Sequence, residues 1–61
     1  MVKEYDVVKC VRDLNENVPK DTIGTVLIVY NATDFEVEFV NKKGETLDVI
    51  TVSKDDVMEY S

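Results

Sequence analysis

Residues 21–39 read DTIGTVLIVYNATDFEVEF, and this stretch decides the fold. From Ile23 to Tyr30 apolar residues fall on both faces, as in a central strand covered on two sides. The rival reading, a buried helix of the same length, fails on residue type. Val26, Ile28, Val29 and Tyr30 are β-branched or aromatic, and Gly24 lies near the start. Asn31-Ala32-Thr33-Asp34 supplies a turn. Phe35-Glu36-Val37-Glu38-Phe39 then alternates with period two, placing Phe35, Val37 and Phe39 on one face and the glutamates on the other. Two β-runs joined this closely form a hairpin.

The flanking sequence extends the pattern. Tyr5-Asp6-Val7-Val8-Lys9-Cys10-Val11 reads as a first strand, and the polar Arg12–Asn17 stretch as a long loop. That loop ends in a reversal at Val18-Pro19-Lys20-Asp21, because Pro19 fixes φ and removes a backbone donor. Asn41-Lys42-Lys43-Gly44 is a tight turn in which Gly44 can take positive φ, leading to a fourth strand over Thr46–Val52. Ser53-Lys54-Asp55-Asp56 reads as a capped 3-10 turn, and Val57–Tyr60 as the last strand.

Strand, long loop, strand, short turn, strand, tight turn, strand, helical turn, strand is the layout of a small all-β, five-stranded SH3-like barrel. An OB-fold needs a helix between its third and fourth strands, for which Asn41–Gly44 leaves no room. The core expected from alternation is Val7 or Val8, Val26, Ile28, Val37, Phe39, Val49, Val52 and Val57.

At 61 residues the chain is one domain, residues 1–61, with a core near the lower limit for unaided folding and a net stability of about 3–5 kcal/mol. One cysteine and no histidine exclude an internal disulfide or a Cys/His zinc centre. Cys10 lies in an apolar run and reads as a buried thiol, which fits a reducing cytoplasm. Lys3, Glu4 and Asp6 interrupt any apolar signal-peptide core, and no run reaches the roughly 18 apolar residues of a membrane span.

Seven basic and 13 acidic residues give a net charge of −6. The excess lies in the second half: residues 1–30 hold four basic against five acidic residues, and residues 31–61 three against eight. Phosphate binding requires the opposite sign. An acidic surface promotes solubility and steers basic partners.

Glu36, Glu38 and Asp48 are expected on the outer face of adjacent strands. Paired carboxylates serve acid–base catalysis or hold hard cations. No nucleophile–base pair or glycine-rich phosphate loop accompanies them, so neither enzymatic activity nor a cofactor is expected. The expected site is a protein-binding surface of Tyr30, Asp34, Phe35, Glu36, Glu38 and Asp48, with the aromatics as rim anchors. Tyr5 and Tyr60, near the two chain ends, are expected to pack together. Self-association through an edge strand is a further route to assembly.

Tyr5-Asp6-Val7-Val8, Val11-Arg12-Asp13-Leu14, Ile23-Gly24-Thr25-Val26, Phe35-Glu36-Val37-Glu38-Phe39, Gly44-Glu45-Thr46 and Val49-Ile50-Thr51-Val52 together resemble the short bacterial proteins grouped as the DUF4926 family. The likeness covers nearly the whole chain. It departs at Asp21, where the family usually has Gly. The resemblance implies a stand-alone SH3-like protein with no assigned catalysis, a small accessory partner of antitoxin-like or immunity-like type. Proline-rich peptide recognition by SH3 domains needs a Trp and loop aromatics, which this chain lacks. Gly24-Thr25-Val26 with Val37-Glu38-Phe39 also has the rhythm of KOW modules. For such a nucleic-acid-binding or ribosome-associated role, Lys9, Arg12 and Lys20 would form the basic patch.

Overall fold

The computed structural model describes residues 1–60. Five antiparallel strands, β1 (Val7–Cys10), β2 (Ile23–Val29), β3 (Asp34–Val40), β4 (Thr46–Ser53) and β5 (Val57–Glu59), form one sheet in the order β4-β3-β2-β1-β5. The 3-10 turn Lys54–Asp56 joins the two outermost strands. The expected all-β class, five strands and single 3-10 turn before the last strand are all present.

The sheet is coiled but not closed into a barrel, since β4 and β5 each pair on one side only. Chain length forces the coiling. Across a flat sheet the outer strands would lie about 19 Å apart, four spacings of about 4.8 Å. The four links from Ser53 to Val57 reach at most about 14 Å, so the edges must curl toward each other at that corner. Ser53 caps the turn as expected: its hydroxyl accepts the Asp55 N–H at 3.2 Å, and its own N–H donates to Asp56 Oδ2 at 2.9 Å.

The concave face holds the core of Val8, Cys10, Val18, Val26, Phe35, Val37, Phe39, Val52 and Val57. Two expected members are absent, for reasons of register. Between Val26↔Val37 and Ile28↔Glu36 the β2–β3 pairing slips by one residue at Leu27. A one-residue slip reverses the inward set, so Val29 packs against the core and Ile28 turns outward at 39% exposure. β2 is therefore dry on one face only. Val49 pairs with the outward Glu38 and is 46% exposed.

Phe35, assigned to the rim in the sequence reading, lies instead on the inward face with Val37 and Phe39 at 3% exposure. Val18 enters the core because the long loop makes a miniature turn. Asn15 Oδ1 accepts the N–H groups of Asn17 and Val18 at 2.8 and 3.0 Å, and the Asn15↔Val18 bridge points Val18 inward. Cys10 is buried as expected, its thiol donating to the Pro19 carbonyl at 3.0 Å.

β1 is shorter than its pattern because Tyr5, at φ 70°, lies within a turn closed by the Asp6 N–H to the Lys3 carbonyl at 3.1 Å. Tyr5 is 74% and Tyr60 51% exposed, so the two rings do not close the core between them. The Tyr60 ring lies beneath the Lys9 ammonium, 5.8 Å from nitrogen to centroid. Asp21 has φ 74°, a conformation that favours glycine.

Gly24 is the one position where the sheet tolerates no side chain. It pairs with Val8 on one side and Phe39 on the other. A Cβ there would meet Val37 Cγ1 at 2.6 Å and both the Glu38 carbonyl oxygen and Phe39 Cδ1 at 2.9 Å. The carbonyl belongs to the ladder and cannot swing aside. Gly24→Ala is expected to cost about 2 kcal/mol or more and to lower Tm by roughly 10 °C or more. Thermal unfolding measures it, and a Tm within a degree or two of wild type would show that β2 and β3 separate without penalty.

Candidate interaction surface

Among the described residues no other element covers the convex face of the sheet. Pairing registers place its side chains in rows. One row runs Val49, Glu38, Thr25, Val7 across β4 to β1, and Tyr60 continues it through its N–H to the Val7 carbonyl at 2.9 Å. A second runs Val40, Ile23, Lys9, Met58. A third holds Thr51, Glu36 and Ile28, with Tyr30 beside them.

Six large apolar or aromatic side chains therefore stand exposed on one surface: Val7, Ile28, Tyr30, Val49, Met58 and Tyr60. Interleaved with Glu38, Thr25, Lys9 and Glu36 in these rows, they make the face a candidate contact surface of mixed apolar and charged character.

Asp34, Glu36 and Glu38 form the acidic spine of this face along β3. Their period-two spacing sets neighbours about 6.7 Å apart. Glu36 Oε1 accepts the Tyr30 hydroxyl at 3.1 Å, Glu38 accepts the Thr46 hydroxyl, and Asp34 Oδ2 accepts the Asn31 amide at 3.1 Å. The hydrogen bond to Glu36 and partial desolvation, with repulsion between a phenolate and that carboxylate, raise the Tyr30 pKa; the Thr51 hydroxyl opposes them.

Of the six residues expected to form the site, the structure brings together Tyr30, Asp34, Glu36 and Glu38. Phe35 is in the core. Asp48 pairs with the inward Phe39, so it lies on the opposite face from Glu36 and Glu38. There Asp48 Oδ2 accepts the Asn15 amide at 3.0 Å. The sequence reading missed Ile28 and Val49 because it assumed unbroken alternation through the β2 slip and an inward Val49. It missed Met58 and Val7 because short strands carry too little pattern to separate their faces.

The cations proposed for a nucleic-acid patch are mostly engaged elsewhere. Arg12 binds Asp56 Oδ1 through Nη2 at 2.7 Å and Nε at 3.0 Å, and Lys9 lies 3.9 Å from Asp21. Among the described residues no group of three or more His, Cys, Asp or Glu side chains is placed to hold a metal ion. No helix there is long and apolar enough to cross a membrane.

The family described as Domain of unknown function (DUF4926) matches residues 4–59. The chain belongs to the DUF4926 family. No curated protein and no solved structure matches it.

The β4 edge of this DUF4926 sheet is guarded. Along β4, Val49, Thr51 and Ser53 point their backbone groups away from β3. The Val49 N–H is taken by its neighbour Asp48 Oδ1 at 2.8 Å, and that of Ser53 by Asp56 at 2.9 Å. Among the donors of this row only the Thr51 N–H is left open. Pairing along the β4 edge would thus meet two carboxylates that occupy its donors.

Two outcomes are expected from this geometry. In a pH titration followed by ring resonances, Tyr30 should deprotonate above its ordinary value, and Glu36→Ala should bring it down; an unmoved midpoint would break the link. Because the folded phenol holds its proton more tightly than the unfolded one, this stabilisation is present at neutral pH and lost as pH rises through the folded value. In hydrogen exchange, the Thr51 amide should exchange faster than those of Val49 and Ser53, and Asp48→Ala should release Val49. A protected Thr51 would mean that a second strand covers the edge.

Proposed function

We propose that this DUF4926 chain is a non-catalytic, cytoplasmic protein-interaction module that binds a basic protein through the convex face of its sheet. In its sharper form the role is antitoxin-like or immunity-like, the domain occluding or stabilising its partner. The observation that carries this reading is the set of Val7, Ile28, Tyr30, Val49, Met58 and Tyr60, exposed on the same face as the Asp34-Glu36-Glu38 spine, with no other element of the described residues above it.

The chemistry follows from that composition. Apolar and aromatic side chains supply the contact energy, and the carboxylates select the sign of the partner and speed encounter. Carboxylates about 6.7 Å apart match cations at alternate positions of a strand or at i and i+4 of a helix, about 6 Å apart along its axis. Glu36 and Glu38 already have hydroxyl partners, so they are held in place before a partner arrives. Repulsion of phosphate by this spine, and the ion pairs that occupy Lys9 and Arg12, argue against the KOW-like reading.

The test starts by identifying the partner through photo-crosslinking from Val49 and Ile28 on the convex face, with Asn17 in the long loop as the control position. With that partner purified, reversal of both glutamates (Glu36→Lys with Glu38→Lys) should weaken binding about a hundredfold or more, since each close charge pair contributes about 1.5 kcal/mol or more. The association rate should fall with added salt. Unchanged affinity in the double variant would sink the proposal. Binding of RNA or DNA whose affinity falls steeply with salt would favour the KOW-like alternative.

A further inference from the structure

At the end of β2 farthest from Tyr30, a depression of about 340 Å³ opens between the end of the long loop and the β3–β4 turn. Its apolar floor is Pro19, Ile23, Val40 and Leu47, and Lys20 and Lys42 stand on its rim. The volume falls within the range of small-ligand pockets, about 300–1,000 Å³. Leu47 is present because the β3–β4 pairing slips between Phe39↔Asp48 and Val40↔Thr46, leaving it without a cross-strand partner. Such bulges re-aim a side chain.

Both walls are fixed by hydrogen bonds. Asp21, at φ 74°, donates its N–H to the Cys10 carbonyl at 2.9 Å, and the Thr22 hydroxyl and N–H donate to the Pro19 carbonyl at 2.6 and 3.2 Å. Opposite them, Asn41 Oδ1 accepts the N–H groups of Lys43 and Glu45 at 2.9 and 3.0 Å.

The charge at this rim runs against that of the molecule. Among the described residues neither Lys20 nor Lys42 is in an ion pair. The carboxylate on the rim, Asp21, lies 3.9 Å from Lys9. Two further acids of these loops face local donors: Asp13 accepts the Lys20 N–H at 2.7 Å, and Glu45 the Asn41 amide at 2.8 Å.

We propose that this depression binds a small apolar carboxylate, an acid of about 8–12 non-hydrogen atoms. Its chain lies on Ile23, Val40 and Leu47, and its carboxylate faces Lys20 and Lys42. The depression opens on the Ile23–Val40 row of the convex face, and its ligand is a small molecule, distinct from the protein proposed to bind that face.

Octanoate is the probe, titrated into the full chain with amide resonances as the readout. Shifts should saturate at Thr22, Ile23, Val40 and Leu47 with a Kd of about 1 mM, the affinity expected for ten heavy atoms in an open site. Lys20→Gln combined with Lys42→Gln should keep the native spectrum and weaken octanoate about fivefold, as for two exposed ion pairs. Octylammonium should not saturate these residues. The proposal is overturned if octylammonium binds them equally well, if the double variant keeps wild-type affinity, or if the octanoate shifts fall elsewhere or never saturate.

Discussion

A single sheet of this size can dry only one of its faces, and the space that keeps that face tight is the missing side chain at Gly24. Phe39 is the largest fully buried residue, and it packs where a Cβ on Gly24 would stand. That vacancy lets β2 and β3 lie close enough for Val8, Val26 and Val37 to join the same cluster. With the inner face committed, every residue of opposite parity is left to solvent. The exposed band on the convex face is thus the complement of the core, produced by the same alternation.

The edges are managed by carboxylates more than by sheet closure. Asp56 gives one oxygen to the Ser53 N–H and the other to Arg12, while its carbonyl accepts the Val11 N–H at 2.9 Å. One half-buried residue thereby ties the long loop, the 3-10 turn and the end of β4 together. Asp48 does the same at the middle of β4, binding Asn15 and the Val49 amide. Asp13 and Asp6 also accept backbone N–H groups, from Lys20 and Lys3. Part of the net charge of −6 is therefore turn and edge chemistry. This separates structural acids from the Asp34-Glu36-Glu38 spine, whose partners are side-chain hydroxyls and an amide.

How much of this was legible in the sequence depends on where pairing is regular. Phe35–Phe39 was readable because no slip interrupts its period of two, and Ser53–Asp56 because a serine before acidic residues caps its own turn. The slip at Leu27 left no mark in VLIV, where every residue is apolar, so Ile28 was placed on the wrong face. Asp48 was misplaced because the face of a residue in β4 depends on register against β3, which composition does not specify. Val18 was hidden in a polar loop whose Asn15 turn becomes visible only when its hydrogen bonds are traced. The candidate surface was half-read for the same reason: its β3 spine follows local alternation, whereas its apolar flanks come from strands whose parity is set by bulges.

The distribution of charge over the convex face gives the domain a polarity that its net charge conceals. Toward Tyr30 the face carries Asp34 and Glu36, with Glu38 near its centre beside Thr25; toward Ile23 it carries Lys9, paired with Asp21, with Lys20 and Lys42 on the adjoining loops. At physiological salt the screening length is about 8 Å, while β2 alone, at seven residues, is about 23 Å long. The two ends therefore act as separate local fields. On the proposed reading, a partner of uniform charge would be drawn to one end and repelled from the other, so the face would orient that partner as well as attract it. The apolar residues between the two ends have no sign preference. In that reading they would contribute once the charged ends have set the register, which would make orientation the step that distinguishes a fitting partner from any other basic surface.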